Sequence, residues 1–182
     1  MAHINLHNDL PGIRGLMEYS PETARPLNDL AEALLRADNS LSRGERELIA
    51  TYVSSLNDCF FCQNVHGAIA GHYLNCDIPA IDAVKQDYLS APLSAKMKAL
   101  LGIAALVQKG GKQVTTAAIT AATEAGATEK EIHDTVLIAA AFCMYNRYVD
   151  GMATWAPQNR QFYVDRAPQR AAEGYADYDL HK

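Results

Sequence analysis

Residues 42–74 read SRGERELIATYVSSLNDCFFCQNVHGAIAGHYL, and they decide the fold. Ser42 followed three residues later by Glu45 is a capping box, in which each side chain satisfies the other residue's backbone N–H at a helix start. From that start a helix is predicted to run to about Ser55. Asn57 or Asp58, both residue types that accept from free helix N–H groups, is predicted to cap a second helix reaching about Leu74. Two helices joined by so short a link lie antiparallel, and the rest of the chain continues the theme. Alanine and leucine dominate, β-branched alternation is scarce, and Gly and Pro fall between helix-compatible stretches, so the expectation is an all-α fold.

Working outward, a helix is predicted over about Glu22–Arg36 after an irregular start containing Pro11, Gly12 and Pro21. Beyond Pro79 comes a short helix or irregular link, then a longer helix from near Ser94 to Gly110-Gly111. Another spans about Val114 to Glu124. Thr128 and Glu131 repeat the capping spacing of Ser42 and Glu45 and open an Ala-rich helix toward Phe142, with helical potential continuing through Met152. The two boxes lie 86 residues apart, which suggests two related helical hairpins. Tyr145, Tyr148 and Met152 then stand in the approximate positions of Cys59, Cys62 and His66. The expected organisation is one domain over 1–156, with 157–182 as a C-terminal arm over a neighbouring subunit or a tail.

The chain has 182 residues and a formal charge of -5. Lys and Arg form no run and no aromatic-studded stripe, so nucleic acid is not an expected partner. The Ala-rich apolar stretches fall short of the roughly 20 residues a membrane span requires. Met1-Ala2-His3 is not followed by a basic and then apolar leader, and a cytoplasmic location is the expectation. Four cysteines are too few for a stapled secreted scaffold of this length, while the close pair Cys59 and Cys62 is of the kind used for redox or metal work inside cells.

Cys59, Cys62 and His66 fall on one side of a helix at spacings of three and four, so their side chains can meet. A helix start favours thiolate over thiol through its unpaired N–H groups and dipole, and by that logic alone Cys59 is the more activated sulfur. Glu47 adds a second logic. It lies ten residues before Asn57 and His66 nine after it. With a rise of about 1.5 Å per residue, the two sit at nearly one height in an antiparallel hairpin, about 15 and 13.5 Å from the turn. A carboxylate there orients the imidazole and raises its basicity, and the imidazole, one turn from Cys62, takes the thiol proton. This relay supplies a specific proton path and favours Cys62. A Cys-x-x-Cys pair can also close to a disulfide, so attack by one sulfur and condensation with the other completes an oxidative half-reaction with a peroxide as oxidant.

The rival reading is a zinc-stabilised binding module in which Cys76 or His72 joins Cys59, Cys62 and His66. Three ligands from one helix crowd a tetrahedral ion, and no second Cys-x-x-Cys is present. No metal and no cofactor is therefore expected. A redox-sensing interaction protein without turnover is a third reading. Cys-x-x-Cys-His haem attachment does not apply, because Gln63 follows Cys62. Cys76 and Cys143 read as small buried apolar groups, His72 and His133 as surface or packing residues, and Tyr145, Tyr148 and Trp155 as core or interface aromatics.

Glu47, eleven further residues, Cys59-Phe60-Phe61-Cys62, three residues and His66 together resemble the active-site signature of the AhpD-like alkylhydroperoxidases in the carboxymuconolactone decarboxylase superfamily. Ser54 to His66, with Asn146-Arg147-Tyr148-Val149-Asp150-Gly151 near the end, is similar to the peroxidase-related branch, and the resemblance covers about Leu27 to Trp155. It implies an all-α fold and homo-oligomers built on trimers or dimers. It also implies a Cys62 thiolate that attacks hydroperoxide, a resolving Cys59, and a Glu47–His66 proton relay. The disulfide would be reduced by an external dithiol, for which thioredoxin-like or lipoylated proteins are candidates. Where Phe61 stands, the best-known members carry a second histidine. Decarboxylase members generally lack the cysteine pair.

Overall fold

The computed structural model describes residues 2–176. Helices α1 (Ile13–Tyr19), α2 (Pro21–Arg36), α3 (Arg43–Leu56), α4 (Phe60–Leu74) and α5 (Ile78–Asp87) follow in chain order. After them come α6 (Ala95–Lys109), α7 (Thr116–Glu124), α8 (Glu129–Gly151) and α9 (Gln161–Glu173). A 3-10 turn over Gly111–Gln113 links α6 to α7, and no strand occurs among the described residues. The all-α expectation holds. Both capping boxes form in full, at Ser42/Glu45 and at Thr128/Glu131. Ser94 caps α6, and Gly110 ends it with a φ of 150°.

Two starts differ from expectation. Neither Asn57 nor Asp58 caps α4: Asn57 closes α3, Asp58 takes a left-handed φ of 57°, and Cys59 is the residue before the first helical position. The start of α7 falls at Thr116, because the Thr115 hydroxyl accepts from the Ala118 N–H and so fixes the first turn there.

Helices α3 and α4 make the most extensive helix pairing among the described residues, and α6 and α8 also pack against α3. Leu35, Leu48, Ile49, Val53, Leu101 and Phe142 lie in the main apolar core that these helices share with α2. A second apolar cluster surrounds the cysteines: Cys59, Phe61, Cys62 and Ile69 meet Val149 from α8 and Tyr163, Ala167 and Ala171 from α9. Burying one large apolar side chain is worth about 1.5–3 kcal/mol. Helix α9 supplies few of them, since two of its three buried residues are alanines.

Polar ties at both ends compensate. At its start, the Arg160 guanidinium donates to both oxygens of Asp82 at 2.7 and 2.8 Å and to the Asn64 side chain at 2.9 Å. At its end, Arg36 from α2 donates to the carbonyls of Ala171 and Ala172, which the helix leaves without internal partners. The C-terminal segment expected as an arm or tail thus contains a helix seated on α4 of the same chain, while residues 177–182 lie outside the described residues.

Candidate active site

The reversal between α3 and α4 builds the site. The Asp58 N–H donates to the Ser55 carbonyl and the Cys59 N–H to the Ser54 carbonyl, both at 3.0 Å. This is a Schellman closure, with the left-handed residue being Asp58 rather than the usual glycine. Its last residue, Cys59, immediately becomes the one from which α4 departs, so a single residue ends one helix and begins the next. The Asn57 amide pins the reversal to α8 by donating to Asn146 Oδ1 at 2.8 Å, and Asn146 in turn donates to Ser54 Oγ at 3.0 Å. Cys59 and Cys62 are thereby fixed at the buried start of α4, 0% and 3% exposed.

Across the hairpin, Glu47 Oε2 and His66 Nδ1 are 2.7 Å apart, which is direct contact of the two residues whose heights the sequence matched. Glu47 is only 1% exposed. A buried carboxylate needs hydrogen-bond donors for both oxygens. Its second oxygen, Oε1, accepts from the Tyr175 hydroxyl at 2.6 Å. Tyr175 also stands 3.4 Å from His66 Nδ1 by its hydroxyl, and its ring stacks on the imidazole with centroids 6.0 Å apart and planes 20° apart. On another side, the Phe142 ring meets the imidazole edge-on at 4.6 Å. With Nδ1 committed to Glu47, Nε2 remains as the nitrogen that can accept a proton.

The two sulfurs are hydrogen-bonded neighbours. Hydrogen bonding with the Cys62 sulfur, followed by burial and by the nearby charges of Cys62 and Asp150, pushes the Cys59 thiol well above its ordinary pKa. Asp150, at the end of α8, has its own carboxyl pushed up by burial, which hydrogen bonding with Cys59 partly offsets.

Phe61, between the cysteines, is an apolar wall. A Cβ on Gly12 would lie 2.3–2.5 Å from its ring, so glycine there is what lets the N-terminal segment press against it, and Gly12 also has a φ of 57°. The Tyr163 ring packs on Phe61 edge-on at 6.0 Å.

Cys62, His66 and Tyr175 line one cavity of about 60 Å³, walled by apolar residues that include Ile13, Met17, Leu27, Phe61, Val65 and Phe142. Liquid water takes about 30 Å³ per molecule, so there is room for roughly two waters or one peroxide group. A larger open cleft of about 630 Å³ lies at the far end of α4 beside His72 and Cys76, and neither Cys59 nor Cys62 lines it. The fourth ligands considered for zinc thus stand more than two helical turns from the cysteine pair. Among the described residues, no group of three or more His, Cys, Asp or Glu side chains is arranged to hold a metal ion.

Of the four sequence-derived site residues, Glu47 touches His66, His66 shares a cavity with Cys62, and Cys62 is hydrogen-bonded with Cys59. Tyr175 was not among them; the sequence signal that bears on it is Gly174, a helix-ending glycine directly before an aromatic residue.

The family comparison gives the class to which this all-α fold belongs. Residues 21–72 and 80–156 match the carboxymuconolactone decarboxylase family, and the chain belongs to it. Among solved structures it is similar to the alkylhydroperoxidase AhpD core of an uncharacterized peroxidase-related protein from Ralstonia eutropha JMP134. Identity is 29% and the TM-score 0.76, over 82% of this chain and 78% of that one. An uncharacterized peroxidase-related protein from Silicibacter sp. TM1040 is similar at 26% identity and a TM-score of 0.76, over 85% of this chain and 78% of the other. No curated protein matches the chain.

Proposed function

We propose that the protein is a thiol-dependent peroxidase that reduces alkyl hydroperoxides or hydrogen peroxide through a Cys59/Cys62 dithiol–disulfide cycle. His66 Nε2 takes the Cys62 proton, and the thiolate attacks the terminal peroxide oxygen. The O–O bond breaks, the sulfur is oxidised to sulfenic acid, and the departing oxygen takes the proton from His66 as alcohol or water. The Cys59 sulfur then displaces hydroxide from the sulfenic acid, its own proton leaving with that oxygen as water, and a Cys59–Cys62 disulfide results. An external dithiol reduces the disulfide, itself becoming oxidised, and both thiols are restored.

The observation that carries this reading is the 2.7 Å contact of Glu47 with His66, which lines the same cavity as Cys62. The hydrogen bonding of Cys59 with the Cys62 sulfur fits the resolving role, because it sets the two sulfurs side by side. The peroxidase-related descriptions of the similar structures point the same way. Thioredoxin-like or lipoylated proteins are the candidate reductants, and a reducing cytoplasm is the compartment that supplies them. No described helix is long and apolar enough to cross a membrane. Leu137 and Met144, two turns apart on α8 and 39% and 44% exposed, favour a homo-oligomer in which that face is covered.

The test is a brief peroxide pulse on the two single-cysteine variants, with dimedone trapping read by mass spectrometry. Cys59→Ser should consume peroxide in one phase and carry the label on Cys62, while Cys62→Ser should do neither. Label on Cys59 in Cys62→Ser, at a rate equal to or above that of Cys62 in Cys59→Ser, would reverse the roles. Peroxide loss no faster than in the Cys59/Cys62 double variant would end the reading.

A further inference from the structure

Tyr175 reaches the site from outside the hairpin, and the chain is built to deliver it. Arg36 and the Tyr73 hydroxyl both donate to the Ala171 carbonyl at the end of α9, Tyr73 at 2.7 Å. Gly174 then turns with a φ of 80°, and a Cβ there would lie 2.5 Å from Glu32 Oε2 and 2.7 Å from Arg36 Nε. The positive φ favours glycine, and a larger residue would also displace the Glu32 and Arg36 side chains. The Tyr175 N–H donates to that same Glu32 carboxylate at 2.8 Å, and Glu32 is held by Arg36 at 3.0 Å. Helices α2 and α4 therefore grip the end of α9 by its backbone and aim a single side chain inward.

We propose that Tyr175 is a positioning residue for the proton relay: its hydroxyl holds one oxygen of Glu47 so that the other fixes His66 Nδ1, leaving Nε2 for the Cys62 proton. This inference rests on the Glu47–His66 relay proposed above. A carboxylate held by His66 alone would be free to rotate about its terminal bond. A second donor at 2.6 Å on the opposite oxygen removes that freedom. The stacked ring does the same for the imidazole plane.

Burial, with the Glu47 charge adding to it, pushes the Tyr175 hydroxyl well above its ordinary pKa, so the phenol remains a donor across the working range. The other charged or titratable groups around it are Glu32 and Arg36 on α2, Tyr73 on α4 and Arg170 on α9.

The test reads Cys62 nucleophilicity without peroxide. In a Cys59→Ser background, the rate of iodoacetamide alkylation at Cys62 is followed against pH by peptide mass spectrometry. Tyr175→Phe keeps the ring and removes only the donor. It should slow Cys62 alkylation near pH 7 about five- to tenfold, the scale of one typical intramolecular hydrogen bond. It should also move the profile upward in pH, with the rates converging above about pH 9 as the thiol ionises unaided. Added to Glu47→Gln, it should cost nothing further, because the residue acts through Glu47.

A Tyr175→Phe profile superimposed on that of the background protein, or effects that multiply with those of Glu47→Gln, would overturn the proposal. Should Tyr175→Phe fail to fold, a chain ending at Glu173 takes its place with the same two outcomes. Because alkylation consumes no peroxide, a protein that shows the coupling but reduces no peroxide refutes the peroxidase reading alone. One that reduces peroxide with superimposed profiles refutes the role of Tyr175 alone.

Discussion

Helices α3 and α8 begin and end alike, yet one makes a site and the other a wall. Each opens with a full capping box and each closes with a Schellman turn whose left-handed residue is not glycine, Asp58 after α3 and Ala153 after α8. They differ in length. Helix α3 has 14 residues and reverses at Asn57, while α8 has 23 and runs past the equivalent point without turning. The echo between the two sequence regions is thus confined to a cap and the helix it starts. Where α3 breaks, the chain folds back and sets His66 beside Glu47 and in one cavity with Cys62. Where α8 continues, Tyr145 and Cys143 enter the packed core, and the Tyr145 hydroxyl is spent on the Leu27 carbonyl at 2.8 Å. Identical terminal signals fix where a helix starts and how it stops, and the residues between decide when.

The sharpest way to break this contrast is to exchange sulfur for oxygen in both regions. Cys62→Ser should abolish peroxide consumption, a loss of more than about a hundredfold, because an alcohol at neutral pH is a far poorer nucleophile than a thiolate. Cys143→Ser alters a thiol of similar burial on α8, whose sulfur lies 3.6 Å from the Asn57 amide. It should leave the rate within about twofold, since a hydroxyl also accepts that donor. Stopped-flow traces of the two variants check both halves. Comparable losses would mean that the two regions share the chemistry.

Buried carboxylates give the next contrast, as Glu47 and Glu131 are each 1% exposed. Glu131 is bound by Lys96 at 2.8 Å, by Ser40 at 2.9 Å and by the Thr128 N–H at 2.8 Å. Burial raises its pKa, but those three partners outweigh burial and leave it lowered. A carboxyl depressed on folding adds stability that is present above its unfolded value and lost as pH falls through the lower folded one. Glu131→Gln should therefore cost about 2 kcal/mol near pH 7 and flatten the acid side of the stability profile, with peroxide turnover unchanged. Glu47→Gln should do the reverse. It should slow Cys62 attack about tenfold near pH 7, recover much of the loss at higher pH, and leave the helices intact. Chemical denaturation and rate profiles on both variants separate the roles, and interchanged outcomes would sink the assignment.

Both capping boxes, the end of α6 at Gly110 and the contact of Glu47 with His66 were legible in the sequence, because each depends on local chemistry or on the fixed rise of a helix. The start of α4 was not, and the reason lies in Asn57 and Asp58 themselves. The short polar side chains that favour a helix start also tolerate the left-handed turn that ends one. At this reversal the second use prevails.

Tyr175 was hidden for a different reason. It meets Glu47 across 128 residues of chain and His66 across 109, and no periodicity reports a contact delivered by another helix. The packing of α9 left an equally faint trace: only Tyr163 among its buried residues is large, and its ends are held by Arg160 and Arg36 through polar contacts that hydrophobic spacing cannot register.

The smallest expected effect comes from the two Schellman turns. Ala153 has a φ of 51° and Asp58 a φ of 57°. An ordinary side chain in this region costs roughly 1–2 kcal/mol, but Asp suffers less than Ala because its short polar group finds local partners there. Glycine removes the steric cost at both positions while giving back part of the gain through a freer unfolded chain. Ala153→Gly should therefore stabilise by about 0.5–1 kcal/mol, and Asp58→Gly by less than about half of that, read as shifts in the denaturation midpoint at constant slope. If the turns are equivalent in function as well as in shape, neither variant should alter Cys62 alkylation. A change confined to Asp58→Gly would instead mark that turn as setting the pitch at which α4 presents its sulfurs. A larger stabilisation from Asp58→Gly than from Ala153→Gly would refute the strain ordering.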